Sequence, residues 1–465
     1  MQKSVPGNRV QLNERQAPRR PRLRIIADVT EKVNCIMAKQ STDFFQSATV
    51  AEGVGVHVCR TDRFKTISLQ LWMGRDLDER AAYASLLSSV LKQGCRAYPD
   101  RRAMGAALEK LYGSGFSCTV GKVGGRQVFT MRMELPSPKY LPGKTDMLGS
   151  GVRFLSEVLT RPLADDGSFP PAAVDREKKN LAAMIRSLLN DKMAYARRRC
   201  LEEMCRRERL RFYEHGDVAV LDGITAKGLY DYYRGFISTA PMDVFVVGDV
   251  SLKEAAGLVA KRLAFPRSGE ASFSPSEKVS APKRPRIVTE RQDVEQVKLC
   301  IGLRTHTVLA DKDYAAAVVF NGVLGGYSHS RLFRTIREDA GLAYQVDSSL
   351  EGSRGLMMIS MGIDAAGYRK ALDIVRRQMD EIRRGKITRA EMSKTRRRLA
   401  SQLYGIPDSA SRLISLWYSQ DVNGGSQDIE RWRRRIVAVR VCDVSAVARK
   451  TETDTIFSLR PGISG

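Results

Sequence analysis

The same order of predicted elements occurs twice in this chain, once on each side of a proline-rich break. In each half, a strand is followed by two helices, two strands and a further helix. The first copy starts with the alternating apolar residues of 67–73 and ends with a helix over 147–159, and the second runs from a strand over 297–303 to a helix over 368–382. Periods of two and of 3.6 residues separate strands from helices. This repeat predicts two homologous α+β domains, each a largely antiparallel sheet with helices packed on one face.

Two segments fall outside the repeat. Residues 1–48 carry seven Lys or Arg against one acidic residue in their first 24 positions, together with several prolines. That composition predicts a basic, disordered extension. Residues 266–290 mix Pro with Ser, Gly and Lys, which favours a linker over a packed core. The sequence therefore predicts an N-terminal domain over 49–265 and a C-terminal domain over 291–465.

The composition of the 465 residues excludes several classes of protein. Apolar residues make up 43% of the chain, enough for sizeable cores. No stretch approaches the ~20 continuous apolar residues of a membrane helix, and no secretion signal is recognised at the N-terminus. The eight cysteines are scattered and there are four histidines, which disfavours a disulfide framework and a histidine-rich metal centre. We therefore expect a cytoplasmic protein that makes no membrane contact.

The formal net charge of +25 raises the alternative of an RNA- or ribosome-associated binding protein. The basic residues are spread along the whole chain, however, and local clusters such as 197–199 and 396–398 have apolar residues three or four positions away. That spacing is typical of a solvated helix face. No RNA-binding aromatic motif, zinc finger or Walker loop accompanies them. Nucleic-acid binding is therefore the less favoured alternative.

Short motifs in the second half resemble those of a known family. Residues 321–326 read NGVLGG, 330–333 read SRLF and 341–344 read GLAY. This pattern is similar to the C-terminal domain of the pitrilysin/insulinase-type zinc peptidases. VVGD at 246–249 and Gly94 followed by Tyr98-Pro99 match the N-terminal domain of that family, so the resemblance spans about residues 55–460. It implies a fold that forms half of a peptidase clamshell.

The resemblance fails at the metal site. Active members of the family carry an inverted zinc motif, His-x-x-Glu-His, and alignment on Gly94 places its three positions at Ser85, Ser88 and Ser89. The third ligand, a glutamate in a later helix, corresponds to Met184. Serine and thioether groups do not replace these ligands. The resemblance thus implies a chain without metal, cofactor or catalytic activity of its own. An active zinc endopeptidase, the alternative, would need a metal site elsewhere.

New nucleophilic chemistry at the three serines is also disfavoured. A serine nucleophile needs a base within hydrogen-bond reach, and the sequence offers no His, Lys or acidic residue on the same helix face nearby. We expect the small hydroxyls to fill the vacated pocket and to bond to the helix backbone.

The resemblance also assigns a substrate-binding pair. In active members an arginine and a tyrosine of the C-terminal domain hold the substrate opposite the zinc, and they correspond to Arg337 and Tyr344. A guanidinium can grip peptide carbonyls or a carboxylate, and a phenol can donate to a developing oxyanion. In the alternative structural interpretation, Arg337 pairs with Glu338 or Asp339 on a helix surface and Tyr344 packs in a strand.

Half-length members of the family work as pairs, in some of which one chain carries zinc and the other the Arg/Tyr pair. The resemblance therefore predicts a non-catalytic subunit that binds a peptide or protein segment and completes the chamber of a zinc-bearing homologous partner. Within the family, residues 61–66, 111–113 and 191–196 are most similar to a zinc-less subgroup, the YfmF-type elongation factor P 5-aminopentanol modification-associated proteins. That similarity implies a link to modification of a translation factor. Similar zinc-less chains also accompany peptide-maturation proteases.

Overall fold

A computed structural model describes residues 44–462, except 144, 189, 264, 266, 268, 270–272, 274–279 and 426–427. Most of the predicted extension 1–48 and many residues of the predicted linker 266–290 therefore lie outside the described residues. Two strands begin inside these predicted segments. The first described strand starts at Gln46, and another starts at Arg286.

The strands and helices follow the repeated order. The strands are β1 (Gln46–Ala51), β2 (Val54–Arg60), β3 (Thr66–Asp76), β4 (Gly115–Val123), β5 (Arg126–Pro136), β6 (Met242–Gly248), β7 (Arg286–Gln292), β8 (Val297–Arg304), β9 (Ala343–Glu351), β10 (Leu356–Ile363) and β11 (Glu452–Pro461). The α-helices are α1 (Ala81–Val90), α2 (Arg101–Lys110), α3 (Met147–Thr160), α4 (Pro171–Ser187), α5 (Lys192–Met204), α6 (Val218–Asp222), α7 (Ala226–Thr239), α8 (Leu252–Arg262), α9 (Tyr314–Leu324), α10 (Tyr368–Arg383), α11 (Arg389–Tyr404), α12 (Ala410–Asn423), α13 (Ile429–Ala438) and α14 (Val441–Lys450). Short 3₁₀-helices cover Pro138–Tyr140, Arg209–Arg211 and Ala365–Gly367, and a π-helix covers Phe333–Asp339.

Two sheets have matching strand orders. The first is β1-β2-β6-β3-β5-β4, and the second is β7-β11-β8-β10-β9. In each sheet one pair is parallel, β2 with β6 and β7 with β11, and the other pairs are antiparallel. Apart from the additional strand β1, the two sheets correspond strand for strand. The predicted fold class, two repeated α+β units with largely antiparallel sheets, is confirmed.

Alternating apolar residues place one face of each sheet against helices of the same half. In β3, Leu69 and Leu71 are fully buried in a cluster with residues of α1, α3 and α8. In β8, Leu299 is buried with Val319 and Phe320 of α9. Burying this strip of each strand supplies the main apolar contribution to stability, at about 25 cal/mol per Å² of apolar surface removed from water. No helix among the described residues combines the length and apolarity needed to cross a membrane.

The opposite face of each sheet is covered by a helix that comes from the other half of the sequence. Helix α5 packs on β8, β10 and β11, where Ala196 and Cys200 are buried with Cys300 and Phe457. This contact is close, since a Cβ at Gly302 would lie 2.8 Å from the sulfur of Met204. The sequence analysis did not anticipate that a helix of the first half packs against the second sheet.

The reciprocal contact is aromatic. On α12, the ring of Trp417 lies 4.0 Å from the ring of His57 and 5.3 Å from that of Phe245, and Tyr418 lies 4.8 Å from Trp72. His57, Trp72 and Phe245 belong to strands of the first sheet. The two halves of the chain are therefore joined by two helices, α5 and α12, each of which packs on the sheet of the opposite half.

A buried ion cluster fixes the end of α5 to the second sheet. The guanidinium of Arg304 donates to Asp454 at 2.7 Å, to Glu208 at 2.6 Å and to the carbonyl of Met204 at 3.0 Å. All three charged side chains are almost completely buried. The guanidinium compensates the buried charge of the two carboxylates. Removing it would be costly, because a buried charge without a partner is strongly destabilising.

We expect Arg304→Met to lower the free energy of unfolding by about 3–5 kcal/mol, since it leaves two buried carboxylates without their cation. Urea unfolding followed by circular dichroism measures this loss. Arg60→Met is the control, because Arg60 and its partner Asp249 are both exposed and an exposed pair contributes about 0–1 kcal/mol. Equal losses in the two variants would contradict the assigned role of Arg304.

Candidate functional site

The positions that the resemblance assigns to the family's metal ligands lie on two helices in contact. Ser85, Ser88 and Ser89 belong to α1, which packs against α4, the helix of Met184. Ser85 and Ser88 are buried, Ser89 is half-buried, and the side chain of Met184 is 40% exposed. The serines therefore lie within the packed structure, whereas much of the Met184 side chain remains in contact with water.

The serine hydroxyls are used in local hydrogen bonds. Ser88 Oγ donates to the carbonyl oxygen of Ser85 at 2.8 Å, as expected for a serine within a helix. Ser85 Oγ donates to the carbonyl oxygen of Glu214 at 3.2 Å, and its distance to Nδ1 of His215 is 3.5 Å. Helix α1 itself carries no His, Lys or acidic residue, but the ring of His215 lies beside Ser85. His215 is distant in sequence, and only tertiary packing brings it to α1.

The segment 213–217 is fixed onto the first turn of α1. Gln127 Nε2 donates both to Ala81 O at 2.9 Å and to Glu214 O at 2.5 Å. Gly216 has φ of +79°, and a Cβ there would collide with the backbone nitrogen of Ala82. Only glycine permits both this backbone conformation and this close contact. The segment thus covers the helix beside Ser85.

This arrangement does not form a nucleophile and base. Ser85 is 2% exposed, and its hydroxyl is hydrogen-bonded to a backbone carbonyl. Its separation from His215 exceeds the 2.6–3.2 Å of an activated pair. Burial lowers the pKa of His215 below its usual value, partly opposed by Glu214. The geometry therefore favours a packed, neutral histidine.

The other histidines each have a hydrogen-bonding partner. His57 lies between Ser47 and Asp243, His306 contacts Glu452, and His329 contacts Thr395. Within the described ranges, no group of three or more His, Cys, Asp or Glu side chains could hold a metal ion.

Arg337 and Tyr344 are brought together. The guanidinium carbon of Arg337 lies 4.9 Å from the ring centre of Tyr344 and 4.7 Å from that of Phe333. The side chain of Tyr344 is 82% exposed. Among residues 331–344, all of which the structure describes, no ion pair joins Arg337 to Glu338 or Asp339. The contacts do not support the structural interpretation of Arg337 as a partner of these acids.

The local backbone explains how the two side chains meet. Arg337 lies in the π-helix Phe333–Asp339, and π-helical turns are often found at functional sites. Gly341, with φ of +60°, turns the chain into β9, an edge strand of the second sheet. Two aromatic rings hold the guanidinium by cation–π contact, and its N–H groups can donate to a carbonyl or carboxylate.

Arg331 of the SRLF motif anchors this π-helix, a role that the sequence did not reveal. Its guanidinium donates to Glu391 at 2.8 Å, to Glu381 at 3.3 Å and to the carbonyl of Lys386. Burial alone would raise the pKa of the Glu391 carboxyl, but hydrogen bonds from Arg331 and Thr388 and the charge of Arg331 outweigh it and lower this pKa to about 2. Arg331 therefore ties the start of the π-helix to α10 and α11 and positions Arg337 indirectly.

Comparisons with known proteins identify similar chains. A family model described as the peptidase M16 inactive domain matches residues 223–399. The probable inactive metalloprotease YmfF of Bacillus subtilis (strain 168) is 32% identical over 411 residues, which are 88% of this chain and 96% of the relative.

Solved structures show the same fold. A conserved protein from Enterococcus faecalis V583 matches with a TM-score of 0.85 and 30% identity, over 91% of this chain and 100% of the other. A peptidase M16 inactive domain from Pseudomonas fluorescens matches with a TM-score of 0.73 and 22% identity, over 90% and 98% of the two chains. The half-clamshell fold predicted from the resemblance is confirmed. Because a relative of this identity matches along nearly its whole length, and because the sequence contains no His-x-x-Glu-His motif, the chain belongs to the pitrilysin/insulinase-type (M16) peptidase family as one of its zinc-less members.

Proposed function

We propose that this chain binds a peptide or protein segment at Arg337 and Tyr344 and completes the chamber of a zinc-bearing homologous partner. The observation that carries the proposal is the contact between these two side chains at an exposed edge of the second sheet. The chain is a non-catalytic peptidase homologue, so the cleavage step would belong to the partner.

The chemistry of the pair supports a role toward a bound chain. Tyr344 projects from β9 with most of its side chain in water, although a large aromatic side chain gains more by burial than by exposure. The cation–π contact fixes the guanidinium plane, which reduces the entropy lost when Arg337 binds a carbonyl or carboxylate. The guanidinium of Arg337 and the phenol of Tyr344 lie side by side, and both can donate hydrogen bonds to the carbonyls of an extended peptide.

The sequence similarity to the subgroup associated with elongation factor P modification supports a finer version of this proposal. In it, the assembled pair acts in the cytoplasm on a protein linked to that modification, or in the maturation of a peptide.

The basic clusters give less support to RNA binding, the alternative function. On α5, Arg197 pairs with Asp347 at 2.5 Å, Arg198 with Glu202 at 2.7 Å and Arg199 with Glu290 at 2.7 Å. Guanidiniums already neutralised by carboxylates are poor phosphate ligands. These arginines therefore act mainly within the fold.

We expect co-expression with a zinc-bearing homologue from the same cell to give a stable 1:1 heterodimer, because an unpaired half chamber leaves its inner surface in water. Size exclusion with light scattering measures the assembly, and elemental analysis measures zinc. Zinc is expected in the pair but not in this chain purified alone. A chain that stays monomeric beside every such homologue, or that alone binds about one zinc, would overturn the proposal.

In the assembled pair, Tyr344→Phe should lower turnover by ~10²–10³, because it removes one preorganised donor to the developing oxyanion. Arg337→Ala should mainly weaken substrate binding. Hydrolysis of a fluorogenic peptide library measures both effects, and thermal unfolding checks that the fold is intact.

Tyr404→Phe and Arg433→Ala provide the matched controls. Tyr404 is also exposed, and its ring lies 5.6 Å from the guanidinium carbon of Arg433. These variants should leave turnover unchanged. If both site variants keep full activity, Arg337 and Tyr344 are structural and the chain serves only as a scaffold.

A further inference from the structure

An open groove of about 920 Å³ lies in the first half of the molecule and includes none of the site residues described above. Four arginines line it. Arg96 lies in the loop after α1, Arg153 lies on α3, Arg161 directly follows α3, and Arg234 lies on α7. Its volume is in the range of ligand-binding clefts, about 300–1,000 Å³.

The charges of the groove are poorly compensated. Glu157 is its one acidic lining residue, and it pairs with Arg161 at 3.5 Å. The side chains of Arg96, Arg153 and Arg234 form no ion pair or hydrogen bond with any residue that the structure describes. Charges of one sign around a concave surface reinforce each other and attract an oppositely charged partner.

The floor of the groove is apolar and held in place. Tyr233 is 2% exposed, and its hydroxyl donates to the carbonyl of Leu159 at 2.8 Å. The ring of Tyr98 stacks on Phe154 with 5.1 Å between ring centres. Ile237 and Phe265 complete the apolar surface. The groove thus combines a fixed apolar floor with exposed arginines that can pair with carboxylates.

We propose that this groove binds an acidic segment of a partner protein. Carboxylates of the segment pair with the exposed arginines, which form two-pronged hydrogen bonds with such groups, and its apolar side chains contact the half-buried Ile237 and Phe265. Single-stranded nucleic acid fits less well, because base stacking needs exposed ring faces, whereas Tyr233 is 2% exposed and one face of Tyr98 is stacked on Phe154. This binding site is independent of Arg337 and Tyr344 and of the proposed zinc-bearing partner.

The test uses the full-length chain and fluorescein-labelled pools of twelve-residue peptides with four Glu and two Leu at randomised positions. Fluorescence anisotropy measures binding. The groove variant is Arg153→Glu with Arg234→Glu. The control, Arg369→Glu with Arg377→Glu, makes the same change of charge at exposed positions on α10. We expect the acidic pool to bind, the groove variant to weaken binding at least about tenfold, and the control to change it less than about twofold.

Further measurements identify the class of ligand. A pool with Gln in place of Glu should bind far more weakly, and added salt should weaken the acidic pool's binding. Failure of the acidic pool to bind, or equal weakening by the groove and control variants, would overturn the proposal. So would a twelve-nucleotide oligo(U) that binds more tightly than the peptides and loses its affinity in the groove variant, since that result would assign the groove to nucleic acid.

Discussion

Both faces of each sheet must be shielded from water. Helices from the same half of the chain as the sheet cover one face. The other face depends on a helix from the opposite half: α5 on the second sheet and α12 on the first. The small side chains of Ala196 and Cys200 are buried where α5 approaches the second sheet closely, and the ring of Trp417 contacts His57 and Phe245 of the first sheet. The ion cluster around Arg304 fixes the end of α5, and the position of the second sheet and its edge strand β9 follows from this packing.

At the positions that the resemblance assigns to metal ligands, the structure shows packing and local hydrogen bonds. A catalytic zinc site keeps an open position for water or substrate, whereas here the segment around Gly216 covers the first turn of α1. Serine hydroxyls bond to nearby carbonyls, so their burial carries little penalty. Helix α1 is packed, and it carries none of the histidines and the glutamate of the His-x-x-Glu-His motif. The half-buried Arg337 and the exposed Tyr344 are more accessible than the buried Ser85 and Ser88.

Local patterns were sufficient to predict most of the repeated elements. Alternation in residues 67–73 and 297–303 and the helical period of 368–382 correspond to β3, β8 and α10. The partner of a helix is not encoded locally, because the apolar residues Ala196, Cys200 and Met204 would suit either sheet. For the same reason His215 was not expected beside Ser85. The proximity of Arg337 and Tyr344 followed from the family resemblance, since seven residues of spacing alone do not determine whether two side chains meet.

The π-helix that carries Arg337 has a consequence for how this region can vary. A π-helical turn closes its hydrogen bonds over one more residue than an α-helical turn, so the direction of the Arg337 side chain depends on the number of residues between Phe333 and Gly341. Substitutions at the exposed positions Glu338 and Asp339 preserve that number. Loss or gain of a single residue would rotate the guanidinium away from the ring of Tyr344. Across related chains this segment should therefore vary freely in composition at its exposed positions and remain constant in length.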